Sequence, residues 1–423
     1  MSKQNELVPP PLKNDCFSLP ADTHWTPVSK ALARLKERLH VCVGTETVPL
    51  FAALGRVLAE DVAAQRSNPP QPNSAVDGYG LCHSRIVAGP QTLPLVAGRS
   101  AAGDPFKGEL PSGHAVRILT GATLPEGVDT VILQEDVTTD GTAIAFHGPL
   151  KQGSNTRKAG EDVAKGGVIL AKGRRITPAD LALAAATGVS QLMVFKRLRV
   201  AVVSTGDELA EPGQEARADQ IFDANRPMLL AMIARFGFEP IDLGRAPDDR
   251  ETLKCFLDEA ASRADMILTS GGASAGDEDH MSALLNETGA MTLWRLAIKP
   301  GRPLALGMWS RTPVFGLPGN PVAAKVCTLI FAKPAMDALG GAGWQEPEAL
   351  RVPAAFSKSK KAGRREYLRA RLRNGRAEVF KSEGSGRISG LSWAEGLVEL
   401  PDEAMEVQEG TEVLYYPYSA FGL

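Results

Sequence analysis

Arg199-Val200-Ala201-Val202-Val203 runs directly into Ser204-Thr205-Gly206-Asp207-Glu208-Leu209. An unbroken apolar, β-branched run that stops at a polar turn with a glycine reads as a strand buried on both faces, the kind found inside a parallel sheet. The next sixty residues extend the pattern. Residues Pro227 to Phe236 predict a helix, Pro240-Ile241-Asp242-Leu243 a strand, Asp249 to Arg263 a helix and Met266-Ile267-Leu268 a strand. Such alternation calls for a doubly wound, mostly parallel α/β domain. Two more strands, around Leu304 and Val314, and a long helix from Pro321 to about Leu339 complete it.

Ligands of a parallel sheet bind beyond the carboxyl ends of its strands. Three strands here run into polar, glycine-rich sequence that is expected to open on one edge: Ser204 to Leu209, Thr269 to Asp279, and Gly316-Leu317-Pro318-Gly319-Asn320-Pro321. Glycines admit backbone N–H groups close to a ligand such as a phosphate, and a helix N-terminus favours anions. The candidate ligand contacts are therefore Ser204, Gly206, Ser270, Gly271, Gly272, Ser274, Gly276, Pro318, Gly319 and Asn320. A glycine-rich turn alone is as often only a strand-to-helix connection. No GxxxxGK[ST] occurs, and Gly384-Ser385-Gly386 meets Ser389 where a dinucleotide fingerprint needs its third glycine, so neither a Walker ATPase nor a Rossmann dehydrogenase is indicated.

Carboxylates gather on the same loops: Asp207 and Glu208, Asp248 and Asp249, then Asp277, Glu278 and Asp279. Each alone reads as a helix cap, Asp249 above all. Converging near phosphate they would repel one another unless a hard cation such as Mg²⁺ lay among them. The stretch Trp294 to Arg302 adds Arg295, Lys299 and Arg302 on or just after an expected strand. Arg295 and Lys299, four apart, would share one strand face and hold an oxyanion.

Outside this layer, Thr26 as cap and Pro27 as first helical residue open an amphipathic helix of about four turns through Val28, Leu32, Leu35 and Leu39. From Val62 to about Leu170, short apolar runs cut by Gly and Pro suit a small, mostly β unit, and Pro178 to Gly188 reads as a short helix. After Gly343 short strands return, as expected of a C-terminal β-barrel. Lys358 to Arg376 carries nine Lys/Arg against Glu366 alone, with Tyr367 the only aromatic. Without an aromatic platform such a run reads as a solvated face rather than an RNA site.

At 423 residues the chain has room for two to four domains, and a formal net charge of −2 attracts neither nucleic acid nor an anionic membrane as a whole. Five scattered cysteines without a CxxC pair fit reduced thiols, and no apolar run is long enough to span a bilayer. A cytoplasmic protein with a loose, proline-rich start is the expectation.

Six pieces in order resemble the molybdopterin molybdenumtransferases, the family of MoeA and the gephyrin E domain. They are Asn73-Ser74-Ala75-Val76-Asp77-Gly78-Tyr79, Arg117 to Ala122, Ser204 to Leu209, Ser270 to Gly276, Ile298-Lys299-Pro300-Gly301-Arg302-Pro303 and Gly316 to Pro321. The resemblance implies an elongated homodimer of four-domain subunits, with the catalytic cleft between the α/β domain of one and the small β domain of the other. The domains would be 22–63 with 166–195, an inserted mostly β domain 64–165, the α/β domain 196–343 and the β-barrel 344–423. It implies Mg²⁺-dependent release of AMP from adenylylated molybdopterin and insertion of molybdate into its dithiolene. Asp77, Thr120, Glu208, Asp248, Asp279, Arg295 and Lys299 would be catalytic, with Glu208, Asp248 and Asp279 holding Mg²⁺. Lys299, Pro300, Arg369 and Ser385 would meet molybdate. Implied partners are molybdopterin adenylyltransferase and molybdoenzyme chaperones. The sequence departs from the family where Arg295 replaces a usual lysine and where Asp277-Glu278-Asp279-His280 replaces a usual Asp-Tyr. Two other readings remain: a molybdopterin adenylyltransferase, whose single domain resembles 196–340, and a non-catalytic scaffold.

Overall fold

The computed structural model describes residues 25–271, 280–287, 292–294, 296–301, 304–382, 384 and 386–423. It divides into two compact units, residues 44–196 and residues 1–43 with 197–423.

In the larger unit, six strands lie in the order Glu239–Ala246, Arg199–Thr205, Met266–Ser270, Thr312–Leu317, Leu304–Trp309, Thr292–Trp294. The first four are mutually parallel; Leu304–Trp309 runs antiparallel to both of its neighbours, Thr312–Leu317 and Thr292–Trp294. Val200 and Val202 face one core with Leu229, Phe315, Phe331 and Met336, while Ala201 and Val203 face another with Leu253, Leu257 and Ile267. Apolar residues on both faces are what the unbroken run at 200–203 foretold, and the doubly wound layer is present.

Helix boundaries show how local chemistry acts. Asp249 caps Arg250–Arg263 by accepting from the Thr252 N–H at 2.8 Å. The helix from Pro321 to Leu339 is interrupted by a π turn at Thr328–Ala332, just before Pro334, whose missing N–H and ring cannot fit regular α-helical bonding. The first helix, Val28–Arg38, spans three turns rather than four, and Pro27 occupies the cap position expected of Thr26. Thr26 instead gives its carbonyl to the Ala297 N–H. The buried face of this helix, Val28, Ala31 and Leu35, joins the α/β core, so it packs in the larger unit and not with residues 166–195.

The stretch 292–301 is not one strand. Thr292–Trp294 pairs in the α/β sheet with Leu304–Trp309, and Ile298–Lys299 pairs in parallel with Arg365 and Glu366 in the C-terminal sheet. The shared strand face expected for Arg295 and Lys299 is therefore absent, because the chain changes sheets between them; Arg295 itself lies outside the described residues.

The C-terminal strands run in the order Ile298–Lys299, Arg365–Arg373, Gly396–Leu400, Glu412–Pro417, Leu350–Pro353. Arg376–Val379 pairs on Arg365–Arg373, and the bridge Ala354–Ala377 closes the ring around Val398, Val413 and Tyr415. The basic run is not a solvated face: Lys360, Glu366 and Arg369 are buried. In the smaller unit, a six-stranded sheet carries Gly78–Leu81 between Ala115–Ile118 and Thr130–Leu133.

Candidate active site

The three expected loop ends do open on one edge. Ser204 pairs with Ser270 and Ser270 with Leu317 at the carboxyl ends of three adjacent parallel strands. Gly271 has φ +95°, and a Cβ there would lie 2.4 Å from the Thr205 carbonyl oxygen. Only glycine allows this approach of loop to strand. Gly206 is similar, at φ +138° with the Glu208 carboxylate packed where a Cβ would stand.

Asn225, buried at the start of the helix Asn225–Arg235, binds two of the loops: its Nδ2 donates to Ser270 Oγ at 2.6 Å and to the Gly319 carbonyl at 2.7 Å. Sequence reasoning missed it, the only cue being an amide heading a helix beside Arg226-Pro227. Ser204 Oγ, Thr269 Oγ1 and Asn225 Oδ1 are buried with no hydrogen-bond partner among the described residues. Unsatisfied polar atoms gathered at sheet ends are costly unless a ligand completes them. Asn320 has a structural task, its Oδ1 accepting from the Val322 and Ala323 N–H groups at 3.0 and 3.2 Å to cap the next helix.

On the acidic side, Asp207 and Asp248 lock two loops reciprocally. The Asp207 N–H donates to Asp248 Oδ2 at 3.3 Å and the Asp248 N–H to Asp207 Oδ1 at 3.4 Å. Glu208 is exposed beside them. Arg226 anchors the base of the loop after Leu209, reaching Asp242 at 2.8 Å and also bonding Asp223 and Glu211. Among the described residues no group of three or more His, Cys, Asp or Glu is gathered tightly enough to hold a metal ion. Asp279, Gly272, Ser274, Gly276 and Ser385 lie outside the described residues.

Lys299 and Pro300 line a cavity of about 200 Å³ with Lys358, Arg369 and Lys381. The reason is the change of sheet between Trp294 and Ile298, which lays Lys299 beside Glu366 on the barrel strand. Glu366 Oε2 stands 3.4 Å from Lys299 Nζ and 3.3 Å from Lys358 Nζ. Arg369 is fixed by the carbonyls of Ser382 and Gly384, at 2.7 and 3.2 Å, and by stacking on Phe380 at 4.8 Å. Four cations around so small a space make a site for an oxyanion. Lys358 and Glu366 were missed as site residues; the lone carboxylate inside the basic run was the available signal.

In the smaller unit, Asp77 Oδ1 accepts from both the N–H and the hydroxyl of Thr120, each at 2.7 Å. These bonds, the backbone one foremost, hold the Asp77 carboxyl below its ordinary range. Gly78 is required next to it, since a Cβ would collide with the Ile132 carbonyl. Arg117 stacks on Tyr79 at 5.0 Å and donates to the Gly78 carbonyl.

Three family descriptions match successive parts of the chain: "MoeA N-terminal region (domain I and II)" over 26–188, "Probable molybdopterin binding domain" over 201–338 and "MoeA C-terminal region (domain IV)" over 351–418. The chain is 37% identical to the molybdopterin molybdenumtransferase of Haemophilus influenzae, over 93% of its own length and 98% of that protein's. It is 36% identical to molybdopterin molybdenumtransferase 2 of Mycobacterium tuberculosis, over 87% and 93%. The crystal structure of the molybdopterin biosynthesis MoeA protein of Pyrococcus horikoshii superimposes with a TM-score of 0.81 at 31% identity, covering 93% of this chain and all of that one.

Proposed function

Because this chain belongs to the molybdopterin molybdenumtransferase family, and so is a transferase of molybdenum cofactor biosynthesis, we propose that it inserts molybdate into adenylylated molybdopterin with Mg²⁺-dependent release of AMP. The observation that carries the reading is the cationic cavity of Lys299, Lys358, Arg369 and Lys381, a tetrahedral-oxyanion site in the same unit as the glycine-rich sheet edge.

The sheet edge would take the pterin and its phosphates. The Gly206, Gly271 and Gly319 backbone admits them closely, and the Ser204 and Thr269 hydroxyls and the Asn225 amide oxygen supply polar groups that the described residues leave unused. Asp207, Glu208 and Asp248 are exposed oxygen donors on that edge; the described residues do not by themselves gather into a metal site, but carboxylate oxygens are the donors a hard divalent cation takes. When bound, Mg²⁺ neutralises phosphate charge and favours attack of water on the phosphoanhydride. Glu208 and Asp248, with Asp279, would hold it, while Lys299 stabilises negative charge as the bond breaks and keeps molybdate adjacent. Arg369 shapes the cavity wall through its carbonyl bonds. Thr120 fixes the Asp77 carboxylate through its N–H and hydroxyl, and both stay in the proposed catalytic set, as does Arg295.

A homodimer in the cytoplasm, supplied by a molybdopterin adenylyltransferase and emptied by molybdoenzyme chaperones, completes the proposal. No described helix is long and apolar enough to cross a membrane. An adenylyltransferase reading does not account for relatives that match over nearly the whole chain. The test is to incubate the purified protein with adenylylated molybdopterin, Mg²⁺ and molybdate. Molybdate-dependent AMP release is expected; its absence would sink the proposal.

A further inference from the structure

We propose that the amino-terminal edge of the α/β sheet, opposite the edge that carries Ser204, Ser270 and Leu317, holds a second ligand site for an organic anion with an apolar body.

A cavity of about 650 Å³ lies there, at the starts of the parallel strands Arg199–Thr205, Met266–Ser270 and Thr312–Leu317. The volume suits a drug- or nucleotide-sized molecule. Among the described residues, Leu39 and Met308 supply apolar surface, and four arginines, Arg34, Arg38, Arg199 and Arg311, line it against one carboxylate, Asp265. That carboxylate is spoken for: Arg199 grips it through two nitrogens, at 2.8 and 3.2 Å. Arg34, Arg38 and Arg311 make no ion pair among the described residues.

Two further features favour an anion at this rim. Arg34 and Arg38 stand four apart on one helix face, where like charges repel. Ser310 and Arg311 form the tight turn between Leu304–Trp309 and Thr312–Leu317 with φ +46° and +72°. Such a turn is ordinarily built from Asn-Gly, because side-chain-bearing residues are strained there. The strain places a third arginine on the cavity rim, and strain kept in a fold points to function. Arginine forks recognise carboxylates and phosphates alike.

The experiment is a fluorescence titration of the full chain with 2-naphthoate and with 1-naphthyl phosphate, which share a body and differ in head group. Saturable binding of at least one probe, one per chain, is expected, weakened tenfold or more by R34E/R38E and by R311E and unchanged in K299A. Binding of naphthoate alone assigns carboxylates and of naphthyl phosphate alone phosphate monoesters. The turn replacement S310N/R311G removes the strain, so it should raise the Tm and yet weaken probe binding as R311E does. No saturable binding of either probe, binding indifferent to all these changes, or binding lost in K299A overturns the proposal.

Discussion

Glu366 holds two lysines on one carboxylate oxygen, Lys299 at 3.4 Å and Lys358 at 3.3 Å. It is buried, and the two lysines come from different strands, so the carboxylate sets the spacing of two walls of the anion cavity. Removing one partner of a buried charge cluster costs several kcal/mol, because the remaining charges lose their compensation. E366Q should destabilise the protein by about 2–4 kcal/mol in urea unfolding, and K358M/E366Q should recover more than half of that loss. Strict additivity of the two single changes would refute the shared role.

Thr120 acts on Asp77 in a comparable way, but through hydrogen bonds. T120V deletes the hydroxyl bond and keeps the backbone one, so the Asp77 midpoint should move up toward an ordinary carboxylate when followed by NMR. A depressed carboxyl contributes stability above its unfolded value and loses it as pH falls through the folded one. Wild type and T120V should accordingly differ in stability at pH 7 and converge in strong acid. An unmoved midpoint would show that the hydroxyl does not matter.

Gly271 tests the sheet edge itself. G271A puts a methyl 2.4 Å from the Thr205 carbonyl at a φ that alanine resists, which should lower stability by about 1–3 kcal/mol and raise KM for the pterin substrate. G319A, whose Cβ would find Gly271 Cα at 3.7 Å, should be milder in thermal unfolding.

Lys325 gives a pH-dependent prediction. It lies over the Tyr418 ring at 3.8 Å, and burial pulls its ammonium down to about 8. The folded protein is therefore penalised by about 3 kcal/mol below pH 8, partly offset by about 1–2 kcal/mol of cation–π attraction. The penalty fades between pH 8 and the ordinary lysine value, where the unfolded chain binds the extra proton. K325M should raise the Tm at pH 7, with the gain vanishing toward pH 10.5. A gain independent of pH would contradict the burial argument.

Much of the fold was legible in the residues. Val200 to Val203 announced a strand covered on both faces, and the polar turns after it, after Leu268 and after Phe315 marked one edge, because parallel pairing brings those ends together. Asp249 announced its cap. What could not be read was the choice of partner for an extended segment: 292–301 looks like one strand, yet its two halves satisfy their backbones in different sheets. Lys358 and Glu366 were hidden for the same reason. Charged residues in a basic run look solvated until a second strand brings Lys299 against them. Asn225 was unreadable because its use lies in a loop 94 positions away.

The passage of residues 292–301 from one sheet to the other bears on how separable the parts of this chain are. Ile298 and Lys299 are an edge strand of the barrel although they lie more than forty residues before Leu350, where its next strand begins. A chain ended at Gly343 would leave these two residues without their ladder and Lys299 without the Glu366 carboxylate. Conversely, residues 344–423 alone would expose the edge of Arg365–Arg373. The C-terminal part is woven into its neighbour, not appended to it, so neither can be exchanged between relatives as a cassette without carrying part of the other.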